Sequence, residues 1–300
     1  MAGTTISSGP RGWAWVPTIA WPRRLTLRGF RRCSPMRAIY RKRGRFEKPT
    51  HPSLPNRIFA FLIRRTSNAF WVAEEQGRIV GYSDSFVRGS FWYFSWLLIS
   101  LSHQGRDIGA RLLEKTLGSW KDVRITNKAT MTFAFNPASQ ALYTRHGMYS
   151  PEPVYVVAAS AQAIGNSKGP DGGLDLEESK SLNDASPTVA PIDERVLGFA
   201  LDWHHEFFFA TRGRCYIFKD SGEPVGYVYV RPSRAAGPTA VSSERCMEPV
   251  LRRSRELSAN QGVDRVSYWT PGSNVHAVDF ALKRTMRFEP LVFMCTRPFA

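Results

Sequence analysis

The sequence predicts an α+β fold, a mixed sheet flanked by helices, and predicts that unit twice. Three observations carry the expectation. From about residue 53 the apolar residues fall into alternating runs and helical stripes. A strand, a helix and a second strand follow one another over 91–135, which requires a parallel, right-handed crossover. A twelve-residue pattern at 71–82 recurs without a gap at 216–227. The chain has 300 residues, 43% hydrophobic and 13% aromatic, enough to fill two cores of ordinary domain size.

The first 35 residues are rich in Arg, Trp, Pro and Gly without any period, and they read as a basic, disordered or mis-started leader. Pro10, Pro17 and Pro22 would break the amphipathic helix of a mitochondrial transit peptide, and no secretory pattern is visible. Ile58 to Ile63 suggest a buried helix face. Phe70–Glu75 and Ile79–Val87 read as strands joined by a turn at Gln76-Gly77, and Phe91–Ser100 is a third strand, apolar on both faces. A helix is expected at 107–118, a strand at Thr130–Phe135, a helix at 137–146 and a strand near 148–157. The span 158–192 is dominated by small and polar residues and reads as a linker. A second block follows over 193–300, so the expected domains are 36–157 and 193–300.

The repeat shares Gly77/Gly222, Val80/Val225, Gly81/Gly226 and Tyr82/Tyr227. Further on, Asn136 and Gly147 are eleven residues apart, as are Asn274 and Thr285, and a Met follows each pair.

The formal charge of +16 invites a nucleic-acid reading, but residues 1–46 alone hold ten Arg and one Lys and no acid. The rest carries 30 basic against 25 acidic residues, and residues 37–45 read as a solvated charge run, so nucleic acid is not the expected partner. No apolar run reaches the roughly 18 residues of a membrane span. Cys33, Cys215, Cys246 and Cys295 are too scattered for a zinc site or a disulfide framework, which points to free thiols, a cytoplasmic setting and no metal.

Chemistry concentrates where Leu97–Ser100 runs through Gln104-Gly-Arg-Asp-Ile-Gly-Ala110 into the first helix. Free N–H groups of a first helical turn converge on one point, so such a turn can hold an anion. Gly105 and Gly109 let backbone approach it, and Arg106 and Arg111 add positive charge. Later, Asn136 is a good N-cap with Pro137 at the first helical position, Tyr143 lies two turns in, and Gly147 ends the helix.

Together these segments resemble the GNAT superfamily of N-acetyltransferases, well over 53–157 and more weakly over 193–298. Gln104 and Gly109 match its pyrophosphate loop; Asn136, Tyr143 and Gly147 match its Asn-x-x-Ala-x-x-x-Tyr-x-x-x-Gly-Phe segment. The resemblance implies the acyl-CoA N-acyltransferase fold, a mostly antiparallel sheet splayed open between strands 91–100 and 130–135 and duplicated in tandem. It implies that acetyl-CoA inserts its pantetheine arm along Leu98 and Ile99 and sets its pyrophosphate on Gln104, Gly105, Arg106, Asp107, Ile108, Gly109 and Ala110, with Asn136 nearby. Tyr143 would be the general acid and a primary amine the acceptor.

The sequence departs from the family pattern in three ways. Asp107 stands where the loop normally has Gly, with its side chain either close to the anion or capping the helix and pointing outward. Phe91 to His103 contains no carboxylate to act as base, which leaves Asp84, Glu74, Glu75 and His103 as alternatives. No opening strand is evident before residue 36 unless Arg24–Phe30 replaces it. In the second block the pyrophosphate loop is missing and Ala281 stands at the tyrosine position, so that copy is expected to be degenerate. The expected activity is acetyl-CoA-dependent N-acetylation, and the alternative is a non-catalytic acyl-CoA-binding module.

Overall fold

A computed structural model describes residues 39–42 as backbone, then 68–160 except 77, 173–231, 236–261 and 265–296. The leader, Cys33 and the helix face expected at 58–63 lie outside the described residues. The chain forms two units. Among the described residues, those up to Pro151 belong to the N-terminal unit together with 293–296, and those within Glu152–Val292 form the C-terminal unit.

The N-terminal unit contains β1 (Ile39–Lys42), β2 (Trp71–Glu75), β3 (Arg78–Arg88), β4 (Phe91–Ile99), α1 (Ile108–Gly118), β5 (Asn127–Phe133), α2 (Pro137–Arg145) and the start of β6 (Met148–Ser160). Strands β1 to β4 are consecutive antiparallel neighbours, and β5 lies parallel to β4. Next to β5 comes the end of the last strand, β12 (Arg287–Thr296), where the Lys128 amide donates to Thr296 Oγ1 at 2.9 Å.

Helix α1 forms because Ile108, Leu112 and Leu113 recur at helical spacing, and all three are buried. Leu112 packs with Ala73 and Val80, and Leu97 and Ile99 complete the cluster. On the same face, Ser83 Oγ and Thr116 Oγ1 lie 2.5 Å apart, and Trp92 and Trp120 both donate to Ser85 Oγ, so the Ser83, Ser85 and Thr116 hydroxyls are hydrogen-bonded.

Two features differ from expectation here. Strand β1 lies within the segment read as a solvated charge run; short edge strands tolerate charged residues, which hides them from a hydrophobic period. Strand β5 begins at Asn127 rather than Thr130 and ends at Phe133, because its pairing with β4 uses the polar Asn127 and Lys128 positions.

The C-terminal unit contains β6 from Glu152, β7 (Asp175–Ser179), α3 (Leu182–Leu197), α4 (Asp202–Ala210), β8 (Arg214–Asp220), β9 (Glu223–Val230), β10 (Ala236–Val241), α5 (Met247–Asn260), β11 (Arg265–Pro271), α6 (Val275–Leu282) and β12 to Val292. Strands β10, β9, β8 and β7 form an antiparallel sheet in that order, while β11 pairs with β6. The span read as a linker therefore holds a strand and most of a helix. Ala185, Val189 and Ile192 are the buried stripe of α3, but small residues, Pro187 and Pro191 dilute its apolar signal. Beneath it the buried Asp193 carboxylate accepts from Tyr227 OH, contacts His205 Nε2 at 2.7 Å and accepts from the Leu201 amide, while His205 Nδ1 meets Tyr229 OH at 3.0 Å.

The element order β8-β9-β10-α5-β11-α6-β12 repeats β2-β3-β4-α1-β5-α2-β6. Backbone irregularities repeat with it. Gln76 and Ser221 both adopt positive φ, at 50° and 53°. The hairpin registers shift past Val80 in one unit and Val225 in the other. Gly81 and Gly226 each lie against the next strand: an added Cβ would come within 3.0 Å of Leu98 O and 2.8 Å of Ala240 O, respectively. Asn136 and Asn274 cap their helices by accepting from the amides of Ser139 and Ala277, and the residues ending them, Gly147 and Thr285, have φ of 79° and 48°.

Candidate active site

The site begins where two parallel strands part. Strands β4 and β5 pair from Phe91/Asn127 to Phe94/Thr130 and no further. Thr130 Oγ1 donates to Phe94 O at 2.9 Å and closes the end of the ladder. Beyond it, β4 runs on to Ile99 without β5 beside it, while its other edge stays paired with β3 through Gly81↔Ile99. The register with β3 also slips here, leaving Ser95 as an extra residue between the pairs Asp84↔Trp96 and Ser85↔Phe94. The opening therefore coincides with a bulge, which turns main-chain groups out of the regular ladder. Leu98 and Ile99 lie on this open edge.

The strand leads through a single 3₁₀ turn, Leu101–His103, into α1. Gln104 Nε2 reaches back to Ile99 O at 3.3 Å. His103 Nε2 lies 2.9 Å from Glu75 Oε2, with Arg106 at 3.9 Å from the same oxygen, so these groups tie the turn to β2. Gly105 has φ of 74°, a left-handed conformation in which glycine is free of the penalty other residues meet. Ile108 is buried in the core below, and Ala110 continues the helix. Gly109 faces Leu97, Leu142 and Ile99, where an added Cβ would sit at ordinary contact distance of 3.6–3.9 Å, so packing alone does not require glycine there.

Asp107 occupies the N-cap position with φ of 62°. Its carboxylate makes no capping hydrogen bond; it is 65% exposed and lies 3.4 Å from Arg111 Nε. The capping alternative is thereby corrected: a left-handed N-cap does not direct its side chain at the amides it would have to satisfy. Solvent and Arg111 both screen the charge, so its repulsion of an anion about 6 Å away falls near 0.7 kcal/mol, the water-like limit.

Tyr143 sits on α2, whose first turn is fixed by Asn136 Oδ1 accepting from the Ser139 amide at 3.1 Å. It is buried, with its ring edge-on to Phe94 at 5.9 Å, the residue at which β4 and β5 stop pairing. Burial raises its phenol well above the ordinary 10, partly offset by hydrogen bonds with Ser139 and Thr130, so the hydroxyl stays protonated in neutral solution. Of the four candidate bases, Glu75 and His103 pair with each other. Asp84 is wholly buried on β3, directly across from Trp96 and beside the Ser95 bulge. The sequence alone did not single out Asp84, because strand register against a bulge is invisible in one chain. Thr130, which closes the ladder, was missed for the same reason.

Residues 66–147 match the acetyltransferase (GNAT) domain. No curated protein matches the chain by sequence. Among solved structures, a proposed acetyltransferase from Pyrococcus horikoshii is similar in fold, with a TM-score of 0.64 and 15% identity over 80% of this chain and 77% of that one. A GCN5-related N-acetyltransferase from Sphaerobacter thermophilus has a TM-score of 0.55 and 14% identity, covering 76% and 80% of the two chains. A tandem GNAT protein from the clavulanic acid biosynthesis pathway has a TM-score of 0.56 and 18% identity, covering 83% and 89%. The fold that the chain shares with these structures is a mixed, mostly antiparallel sheet flanked by helices. Among the described residues no cluster of His, Cys, Asp or Glu is arranged to hold a metal, and no helix is long and apolar enough to cross a membrane. Cys215, Cys246 and Cys295 are buried, and none of the three forms a disulfide.

Proposed function

We propose that the N-terminal unit transfers an acetyl group from acetyl-CoA to a primary amine by direct attack on the thioester. The observation that carries this reading is the end of β4–β5 pairing at Phe94/Thr130, with a glycine-containing helix entrance at one end of the gap and a buried, protonated tyrosine at the other. Acetyl-CoA fits the chemistry of these groups: the Leu98–Ile99 edge offers main-chain partners to the pantetheine amides, and the turn at Gln104–Ala110 offers amides to the pyrophosphate.

In the reaction, the amine nitrogen forms a bond to the thioester carbonyl carbon, and main-chain N–H groups at the open edge stabilise the oxygen on which negative charge develops. The C–S bond then breaks, and Tyr143 donates its proton to the departing thiolate. Asp84, placed across from Trp96 beside the bulge, accepts the proton lost by the amine, directly or through water. The C-terminal unit we read as a degenerate tandem copy acting as scaffold: its repeated bulge, glycine contact and helix cap support common descent, whereas buried Ala281 offers no proton donor. We place the activity in the cytoplasm, in keeping with the buried, unbridged cysteines.

Titration with acetyl-CoA followed by thiol release across a panel of amines tests the proposal. Binding with turnover supports it; binding without turnover favours the acyl-CoA-binding module, and no binding removes both. Tyr143→Phe should retain acetyl-CoA affinity and lose roughly 10²–10⁴ in turnover; unchanged turnover refutes its role. Asp84→Asn should lower turnover and shift the acidic limb of the pH profile.

A further inference from the structure

In the C-terminal unit, α5 presents Glu248, Arg252 and Arg255 on one face, at i, i+4 and i+7. Phe280 of α6 and Arg284 in the turn after it come to this face: the guanidinium carbons of Arg255 and Arg284 lie 4.9 and 3.8 Å from the centroid of the Phe280 ring. Arg255 is 1% exposed, and its Nε and both Nη atoms are buried without a hydrogen-bond partner among the described residues. Arg252 is 7% exposed. The carboxylate among them is Glu248, whose Oε1 is shared at 3.4 Å with Arg252 Nη2 and at 3.4 Å with Arg284 Nη2. Glu256, the next residue on α5, pairs with Arg253 at 2.7 Å.

Two guanidinium groups thus share the Glu248 carboxylate, while the third and most buried, that of Arg255, stacks on Phe280 and has none of its hydrogen bonds made among the described residues. An unpaired buried charge is among the costliest features a fold can carry. Stacking on Phe280 offsets part of that cost but satisfies no N–H donor. A guanidinium fork matches the oxygens of phosphate in geometry as well as charge. Burial first, then Arg284 and more weakly Arg252, push the Arg255 guanidinium below its ordinary value to about 10 against the opposing pull of Tyr268 and Glu256, the direction an added anion would reverse.

We propose that Arg255, with Arg252 and Arg284, binds a phosphate group between α5 and the C-terminal end of α6. The position is distinct from a helix entrance, since Arg255 is the ninth residue of a fourteen-residue helix. Glu248, with 39% of its side chain exposed, forms the rim, and the incoming anion displaces it from Arg284. The site lies wholly within the C-terminal unit and does not depend on acetyl transfer by the N-terminal one.

The test is calorimetric titration of the full chain with inorganic phosphate, and separately with phenyl phosphate, against chloride at matched ionic strength. Saturable one-to-one phosphate binding that raises the thermal midpoint is expected. Binding of both ligands identifies the group as a phosphate ester or free phosphate equally well accommodated; binding of inorganic phosphate alone identifies an enclosed site for the free ion, and either result supports the proposal. Arg255→Met should weaken phosphate at least about tenfold, as loss of a charged hydrogen-bonding group does. It should also melt higher than wild type in phosphate-free buffer, because the buried charge is gone. Arg284→Gln, with a less buried side chain, should weaken phosphate while leaving the fold intact. No saturable phosphate heat, or undiminished binding in a folded Arg255→Met or Arg284→Gln, overturns the proposal.

Discussion

Gly81→Ala probes the open edge of β4 from behind. The new Cβ would lie 2.7 Å from Ile99 Cδ1, 3.0 Å from Leu98 O and 3.3 Å from Leu112 Cδ1. The Ile99 methyl can rotate away, but the Leu98 carbonyl moves only if the strand moves. Overpacking of this kind costs about 1–3 kcal/mol, or roughly 2–4 °C of thermal midpoint per kcal/mol in a domain of this size. The same displacement shifts the main-chain groups proposed to hold the pantetheine arm. Loss of one such hydrogen bond, about 0.5–1.5 kcal/mol, corresponds to a roughly 2- to 12-fold weaker acetyl-CoA affinity. Gly226→Ala is the control, because its Cβ meets Ala240 O at 2.8 Å in the C-terminal unit. Urea denaturation and acetyl-CoA calorimetry on both variants should show similar destabilisation, with affinity lost only in Gly81→Ala. If Gly81→Ala is destabilised but binds acetyl-CoA like wild type, the arm does not lie on this edge; if neither variant is destabilised, the close approaches are not there.

Other substitutions follow from the same geometry. Asp107→Gly relieves a left-handed non-glycine residue and removes a screened charge; acetyl-CoA should bind about threefold more tightly by calorimetry, from the roughly 0.7 kcal/mol repulsion. Thr285→Gly should stabilise the protein by about 1 kcal/mol in urea, since a β-branched residue at φ of 48° is strained where its counterpart Gly147 is not. Burial pushes the Cys215 thiol from its ordinary 9 up to about 12. Its stabilising effect is therefore complete below pH 9 and lost as pH rises towards 12. Between pH 9 and 10 wild type should lose about 1 kcal/mol more stability than Cys215→Ala, and equal slopes would show that the thiol ionises as freely folded as unfolded.

Much of this architecture was legible because local rules and tertiary needs coincide. The pattern at 71–82 and 216–227 predicted two like hairpins, and the residues it shares sit where the backbone is constrained. Val80 and Val225 fall at the register shifts, and Gly81 and Gly226 at the close contacts. Asn136 announced its helix because N-capping is a local hydrogen bond. The strand-to-helix turn was legible for the same reason, although the outward direction of Asp107 depended on a backbone dihedral. Elements whose stability comes from neighbours were not. Strand β1 has no apolar period of its own, and α3 hides a three-residue stripe among small and polar residues. The placement of Asp84 beside the opening depends on pairing across β3 and β4, which no single strand encodes.

The bond from the Lys128 amide to Thr296 spans 168 residues, and the segment that flanks β5 therefore comes from the far side of the second unit. During synthesis, β5 must wait with that edge uncovered while everything between is made, a long-range closure of the kind that slows folding and exposes strands to aggregation. An excised fragment covering 36–157 would keep the motifs and lose this flank. Activity measured on such a truncation would test a different, half-clad molecule.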